Sequence, residues 1–333
     1  MVTAGAGVIT NGRFSVSGCR FVTENTMTKQ IVSMLIGVMA LATSVAPAAT
    51  TIRQRHFSTP EAAVEALVVA NRDADKSALL SILGDAGARL IHSGDPVEDR
   101  RGREHFVAAF DEAHKIELEG RHKAVLIVGQ AEWPLPIPLV RDPAGWRFDT
   151  KAGAEEILNR RIGRNELKVI EICRAYVAAQ REYAALKIGG QGEFARRFVS
   201  TSQLHDGLYW PVETGETESP LGPLVAQAQA SGYPAGQATA ANAKPRPYYG
   251  YHFHILQAQG PNASGGAMSY VVEGHMTRGF ALIAYPATFG DSGVMTFIVN
   301  QSGIVFEKNL GPATARIAQK ITQYDPDSSW HAP

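Results

Sequence analysis

Gly279-Phe280-Ala281-Leu282-Ile283-Ala284-Tyr285-Pro286 and, five residues on, Ser292-Gly293-Val294-Met295-Thr296-Phe297-Ile298-Val299-Asn300 are two uncharged apolar runs joined by a segment containing Gly290 and Asp291. Runs of this length, rich in branched and aromatic residues and bounded by turn formers, read as strands. Residues 248–257, 269–273 and 304–307 add strands in close order, with Gln301-Ser302-Gly303 closing the last hairpin. Ahead of them, Val169, Cys173, Tyr176 and Val177 share one face of a predicted helix over 165–186, which Asn165 is placed to cap. Behind them, Pro312 opens a final helix whose Ile317 and Ile321 share a face. Residues 154–333 therefore read as a long helix on an antiparallel meander, interrupted by an irregular segment over 187–247.

The first half reads differently. Phe57-Ser58-Thr59-Pro60-Glu61 offers an N-cap hydroxyl, an early proline and a Glu three after Ser58, and Ala63, Val64, Leu67 and Val68 follow at helical spacing. A second helix is predicted over 76–83, stopped by Gly84, and a third over 103–114. Strands are predicted over 88–92 and 124–128. In Trp133-Pro134-Leu135-Pro136-Ile137-Pro138-Leu139 the alternating prolines cannot donate ladder bonds, which predicts an edge strand with Leu135, Ile137 and Leu139 facing the core. Asp142-Pro143-Ala144-Gly145 then turns the chain into a strand over 146–148. The fold class is α+β, with an N-terminal domain at 52–153 and a C-terminal domain at 154–333.

Residues 31–45 form an uncharged apolar run after Lys29 and before Ala46-Pro47-Ala48-Ala49, the pattern of a secretory signal peptide. Fifteen residues fall short of the roughly 20 that span a bilayer as helix, so cleavage near Ala48 is predicted, and no stable anchor after it. Met27, two residues ahead of Lys29, suits initiation better than Met1. The 48 residues before the cut hold three of the 32 basic and one of the 32 acidic residues, leaving a net charge of −2. Such a balance predicts no nucleic-acid partner. Cys173 alone survives of two cysteines and sits on the apolar helix face, which excludes an internal disulfide and predicts an inert thiol.

Gly250-Tyr251-His252-Phe253, the two runs that open this section, Lys308-Asn309-Leu310-Gly311 and Asp206-Gly207-Leu208-Tyr209-Trp210-Pro211 together resemble a family of exported bacterial proteins of unknown function across nearly the whole mature chain. That resemblance implies no activity and no catalytic residue. Asn165-Glu166, then Ala179-Gln180-Arg181-Glu182-Tyr183, then a Gly-Tyr-x-Phe strand and a Thr-Phe-x-Val hairpin are similar in order to type IV pilin-like globular heads. The hydrophobic half-helix and processing site of a pilin do not precede Asn165, so this likeness concerns the head alone. At the level of fold only, helices followed by a curved antiparallel sheet over 52–150 resemble the nuclear-transport-factor-like cone.

Several residue groups invite chemistry. Gly290-Asp291-Ser292-Gly293 spells the tetrapeptide around a serine-protease nucleophile, but nothing beside it supplies a base, and a turn is the expectation. His252 and His254, two apart on a strand, share a face, and His275 is the third candidate ligand for zinc or copper; the competing reading is a solvated sheet face. Asp95, Glu98, Asp99, Arg100, Arg101 and Arg103 read as a solvated charged loop flanked by His92 and His105. Asp325-Pro326-Asp327 reads as a turn rather than a calcium loop. Trp133, Trp146, Trp210 and Trp330 are expected to pack in cores or between domains, with Tyr209-Trp210-Pro211 tying the irregular segment down. With no metal site, cofactor or catalytic residue assigned, the sequence predicts a non-catalytic binding or envelope-interaction protein with an envelope partner. The alternative is an enzyme using an N-terminal cavity, with His92 and His105 as its nameable residues.

Overall fold

A computed structural model describes residues 53–188, 192–202, 204–212, 215, 217–234 and 246–333. The predicted start at Met27, the signal peptide and residues 235–245 of the Ala, Gly and Pro-rich run lie outside the described residues. Thr50–Pro333 form one compact unit built on two apolar cores.

Helix α1 (Pro60–Arg72) is capped by Thr59, not Ser58: the Thr59 hydroxyl accepts from the Ala62 amide at 3.1 Å. Helix α2 (Lys76–Leu83) starts at the Asp75 cap and stops at Gly84, whose φ of +70° suits glycine. The strand expected over 88–92 is instead a helical turn, α3 (Ala88–Ile91). Ile91 is the only β-branched residue there, so propensity favours helix. The charged run expected to be a solvated loop is the first half of α4 (Pro96–Glu112). Asp95 caps it by accepting from Val97 and Glu98, Pro96 takes the first position, and Glu98 and Asp99 lie where the helix dipole favours anions. Sequence periodicity hid this helix because Phe110 is its only buried residue.

Strands β1 (His114–Glu119), β2 (Lys123–Val128), β3 (Trp133–Pro134), β4 (Leu139–Asp142) and β5 (Gly145–Phe148) form an antiparallel sheet ordered β1-β2-β4-β5, with β3 also on β2. Leu135, Ile137 and Leu139 are buried as their spacing demands. The proline stretch is nevertheless not one edge strand, since its missing N–H groups break it into β3 and β4, both interior partners of β2. At this break the backbone of Gly153 lies against Pro136 and Ile137, and a Cβ there would sit 2.2 Å from the Pro136 carbonyl oxygen. Gly153→Ala is therefore expected to cost about 1–3 kcal/mol by overpacking, measured as a lowered urea midpoint. An unchanged midpoint would mean the contact relaxes freely.

Helix α5 (Thr150–Leu186) begins fifteen residues before the expected start. Asn165 is no cap but lies buried inside the helix, its side-chain amide donating to the Ser292 carbonyl at 2.9 Å. Gly163 and the basic residues around it masked the continuity. Glu166, next along, accepts from the Val294 and Met295 amides at 2.9 Å each. Val169, Cys173, Tyr176 and Val177 are buried against the second sheet. That sheet comprises β6 (Tyr251–Leu256), β11 (Ala281–Pro286), β12 (Met295–Asn300) and β13 (Val305–Asn309), antiparallel throughout in the order β13-β12-β11-β6. Two small ribbons, β7 (Ala258–Gln259) with β8 (Met268–Ser269) and β9 (Val271–Val272) with β10 (His275–Met276), replace the single strand expected over 269–273. The irregular segment contains α6 (Gly222–Ala230), and the chain closes with a short α7 (Thr314–Ala318) that ends before Ile321.

The halves meet at Asp95. Its carboxylate is 1% exposed; Oδ1 caps α4, while Oδ2 accepts from the Tyr233 hydroxyl at 2.8 Å and the Gly250 amide at 2.9 Å. Tyr233 in turn accepts from the Tyr249 amide, and the rings of Tyr233, Tyr248 and Tyr249 pack at 4.7–5.6 Å between centroids.

Candidate binding site

Strand alternation gives the four-stranded sheet two different faces. One carries Tyr251, Leu282, Phe297 and Val299 toward α5, where the Tyr251 hydroxyl donates to the Met295 carbonyl. The other carries a polar row across all four strands. His252 pairs with Tyr285 and Thr296 with Lys308, while the register of β11 on β12, Ala284 opposite Phe297, sets Tyr285 beside Thr296. The next row is His254, Ile283, Ile298 and Phe306. Thr296 is fully buried, and neither its hydroxyl nor His252 Nδ1 has a hydrogen-bond partner among the described residues. Burial holds the His252 imidazole below its ordinary pKa, with the charge of Asp95 partly opposing this.

At the Lys308 end of this face lies a groove of about 350 Å³, lined by Ile298, Leu310, Ile317, Ile321 and Trp330 together with Lys308 and Lys320. Ile317 and Ile321 thus meet as their spacing predicted, although the second lies beyond α7. Trp330 is brought here by the C-terminal segment, which pairs with the sheet edge through Glu307 N to His331 O at 2.7 Å and its reciprocal at 3.1 Å. The Lys308 ammonium sits 5.7 Å from the Trp330 ring centre and 3.9 Å from Asp327. Sequence reasoning missed the groove; its one signal was lysine among aliphatics in Phe306 to Leu310 and Ile317 to Ile321.

The residues singled out from sequence do not assemble into a reaction centre. His252 and His254 share a face, but His275 lies on β10 with its Nδ1 2.8 Å from Glu193. No group of three His, Cys, Asp or Glu with metal-binding geometry occurs among the described residues. Asp325 accepts from the Asn262 amide and side chain, and Asp327 caps Ser329, as in a turn. Ser292 is fully buried, its hydroxyl donating to the Thr288 carbonyl while accepting from the Thr288 amide, and Asp291 pairs with Arg89 at 2.5 Å. His92 Nδ1 lies 3.3 Å from buried Asp99, whereas His105 is exposed on α4. Trp146 and Trp210 are buried; Trp210 stacks on His205 and donates to the Thr217 carbonyl, pinning the irregular segment. Trp133 and Trp330 are half-buried.

Complete burial pushes the Cys173 thiol up to about 12. The thiolate is the reactive form, so native protein is expected to stay unmodified by a disulfide reagent at pH 8 and to react once urea unfolds it. Rapid labelling of the native state would contradict this.

In the first half a shallower cleft of about 320 Å³ is lined by Glu61, Val64, Glu65, Phe110, His114 and Ile116. His114 stacks on Phe110 at 3.7 Å, with Nδ1 2.9 Å from the Phe110 carbonyl.

Helices packed on antiparallel sheets, with a groove on the outer sheet face, define an α+β protein. Over residues 54–332 the chain matches the family described as protein of unknown function (DUF2950), and it belongs to that family. No curated protein and no solved structure matches it. No helix among the described residues is long and apolar enough to cross a membrane.

Proposed function

We propose that this is an exported, non-catalytic binding protein of the cell envelope, and that the groove at Lys308, Lys320 and Trp330 is its ligand site. One observation carries the reading: the groove joins an apolar wall to two ammonium groups and contains no nucleophile beside a base. Lys29, the apolar run over 31–45 and Ala46-Pro47-Ala48 support export. The long α5 lying on β11, β12 and β13 supports the likeness to a pilin-type head. Mild cross-linking in the native envelope, capture of the tagged chain and mass spectrometry test the proposal. A companion, protein or small molecule, that is lost on Lys308→Glu would carry it. Wild-type chain recovered alone and cytoplasmic would overturn it.

A second reading, an enzyme, rests on the cleft at His114. Its Nδ1 donating to the Phe110 carbonyl would leave Nε2 as a base facing Glu61 and Glu65. Hydrolysis of nitrophenyl esters, phosphates or glycosides, abolished by His114→Ala, would favour that reading. Inactivity on all three would leave binding.

A further inference from the structure

We infer that the groove takes a single-chain aliphatic carboxylate, its chain against Ile298, Leu310, Ile317, Ile321 and Trp330 and its carboxylate at Lys308 and Lys320. This rests on the binding reading above and gives that site its ligand class.

The argument is one of charge and size. Of the acidic side chains near the groove, Asp325 has both oxygens engaged by Asn262, and Asp327 Oδ1 is engaged by Ser329. The 3.9 Å approach of Lys308 to half-exposed Asp327 is the outer limit of an ion pair and weak in water. Lys320 is exposed and has no ion pair among the described residues. The site therefore presents uncompensated positive charge beside an apolar wall. A bare inorganic anion would leave that wall wet, and a neutral alkane or alcohol would leave the ammonium groups unused. The volume of about 350 Å³ is near the lower end of the roughly 300–1,000 Å³ typical of small-molecule clefts. One short chain suits it better than a branched lipid or a folded partner. Ile298 is fully buried at the floor, and Trp330 is fixed over Lys308 by the strand pairing of Glu307 with His331, so both walls exist before any ligand arrives.

Titration calorimetry of the purified full-length chain with decanoate, below its micelle concentration, tests the inference. Saturable one-to-one binding is expected. Each methylene removed from contact should cost up to about fourfold in affinity, so hexanoate should bind at least tenfold more weakly. Decanol should bind at least tenfold more weakly as well, as should decanoate to Lys308→Ser/Lys320→Ser. Lys76→Ser, on α2, should bind like the wild type. Both groove lysines carry exposed or half-exposed ammonium groups, so the double variant should fold, which circular dichroism checks. The inference is overturned if decanoate shows no saturable binding, if decanol matches it, or if the double variant binds equally well. Binding of N-acetyl-trileucine without decanoate would also overturn it, pointing to a peptide C-terminus. If decanoate fails while envelope capture still yields a companion lost on Lys308→Glu, the ligand class falls and the binding reading stands. If both fail, both fall.

Discussion

Asp95→Ala should lower stability by about 3–5 kcal/mol, because it removes an acceptor that serves four donors at once. The Val97 and Glu98 amides lose the cap of α4, which alone is worth about 1 kcal/mol. The Tyr233 hydroxyl and the Gly250 amide lose their buried partner. For a chain of this size each kcal/mol moves the melting temperature by roughly 2–4 °C, so a drop of about 6–15 °C is expected by circular dichroism. Asp95→Asn keeps one side-chain oxygen and should lose less than half as much. Were Asp95→Ala to cost under about 1 kcal/mol, water would have to be replacing the carboxylate.

Alkali should unfold the protein cooperatively between pH 10 and 12. Tyr176, Tyr183, Tyr233, Tyr251, Tyr270 and Tyr324 are buried, and burial is the chief cause holding each phenol above its ordinary value. Tyr183, Tyr270 and Tyr324 are pushed up to about 12. The other three are held higher. A raised folded-state pKa means that folding favours the protonated phenol. Its contribution is complete below about pH 10, where the unfolded chain titrates, and is lost as pH climbs through the folded value. Each such group withdraws up to about 1.4 kcal/mol per pH unit above that point. Six acting together exceed the usual total stability of about 5–15 kcal/mol within two units. Phenolate absorbance and ellipticity followed together should show the exposed tyrosines titrating first, then one steep step in both signals. Buried phenols ionising one by one with the ellipticity intact would contradict this account.

What could be read from sequence was whatever the chain states locally. The runs around β11 and β12, the stop of α2 at Gly84 and the turn at Asp142 to Gly145 were legible because apolar periodicity and turn chemistry agree there. The strand β1 was not, since Lys115, Glu117 and Glu119 alternate with residues that remain largely exposed and its pairing with β2 is the only thing that makes it a strand. Helix α4 was missed for the same reason, as its start is set by the Asp95 cap rather than by an apolar face. The role of Asn165 needed a partner 127 positions away, which no local pattern discloses. The groove was illegible because β12, β13, α7 and a tryptophan near the C-terminus each contribute one or two side chains. The histidine pair was legible as a shared face, while the absence of a third ligand from that face depends on where β10 lies.

Helix α5 also acts as a phase lock. Gly153 and Leu158 sit near its beginning against the first sheet and its surroundings, and Asn165, Glu166 and Val169 onward engage the second. A helix turns by about 100° per residue, so one residue inserted between Leu158 and Asn165 would swing every later contact a quarter-turn and more away from its seat. The loops of this protein can vary in length; the rod between its two cores can change only by whole turns.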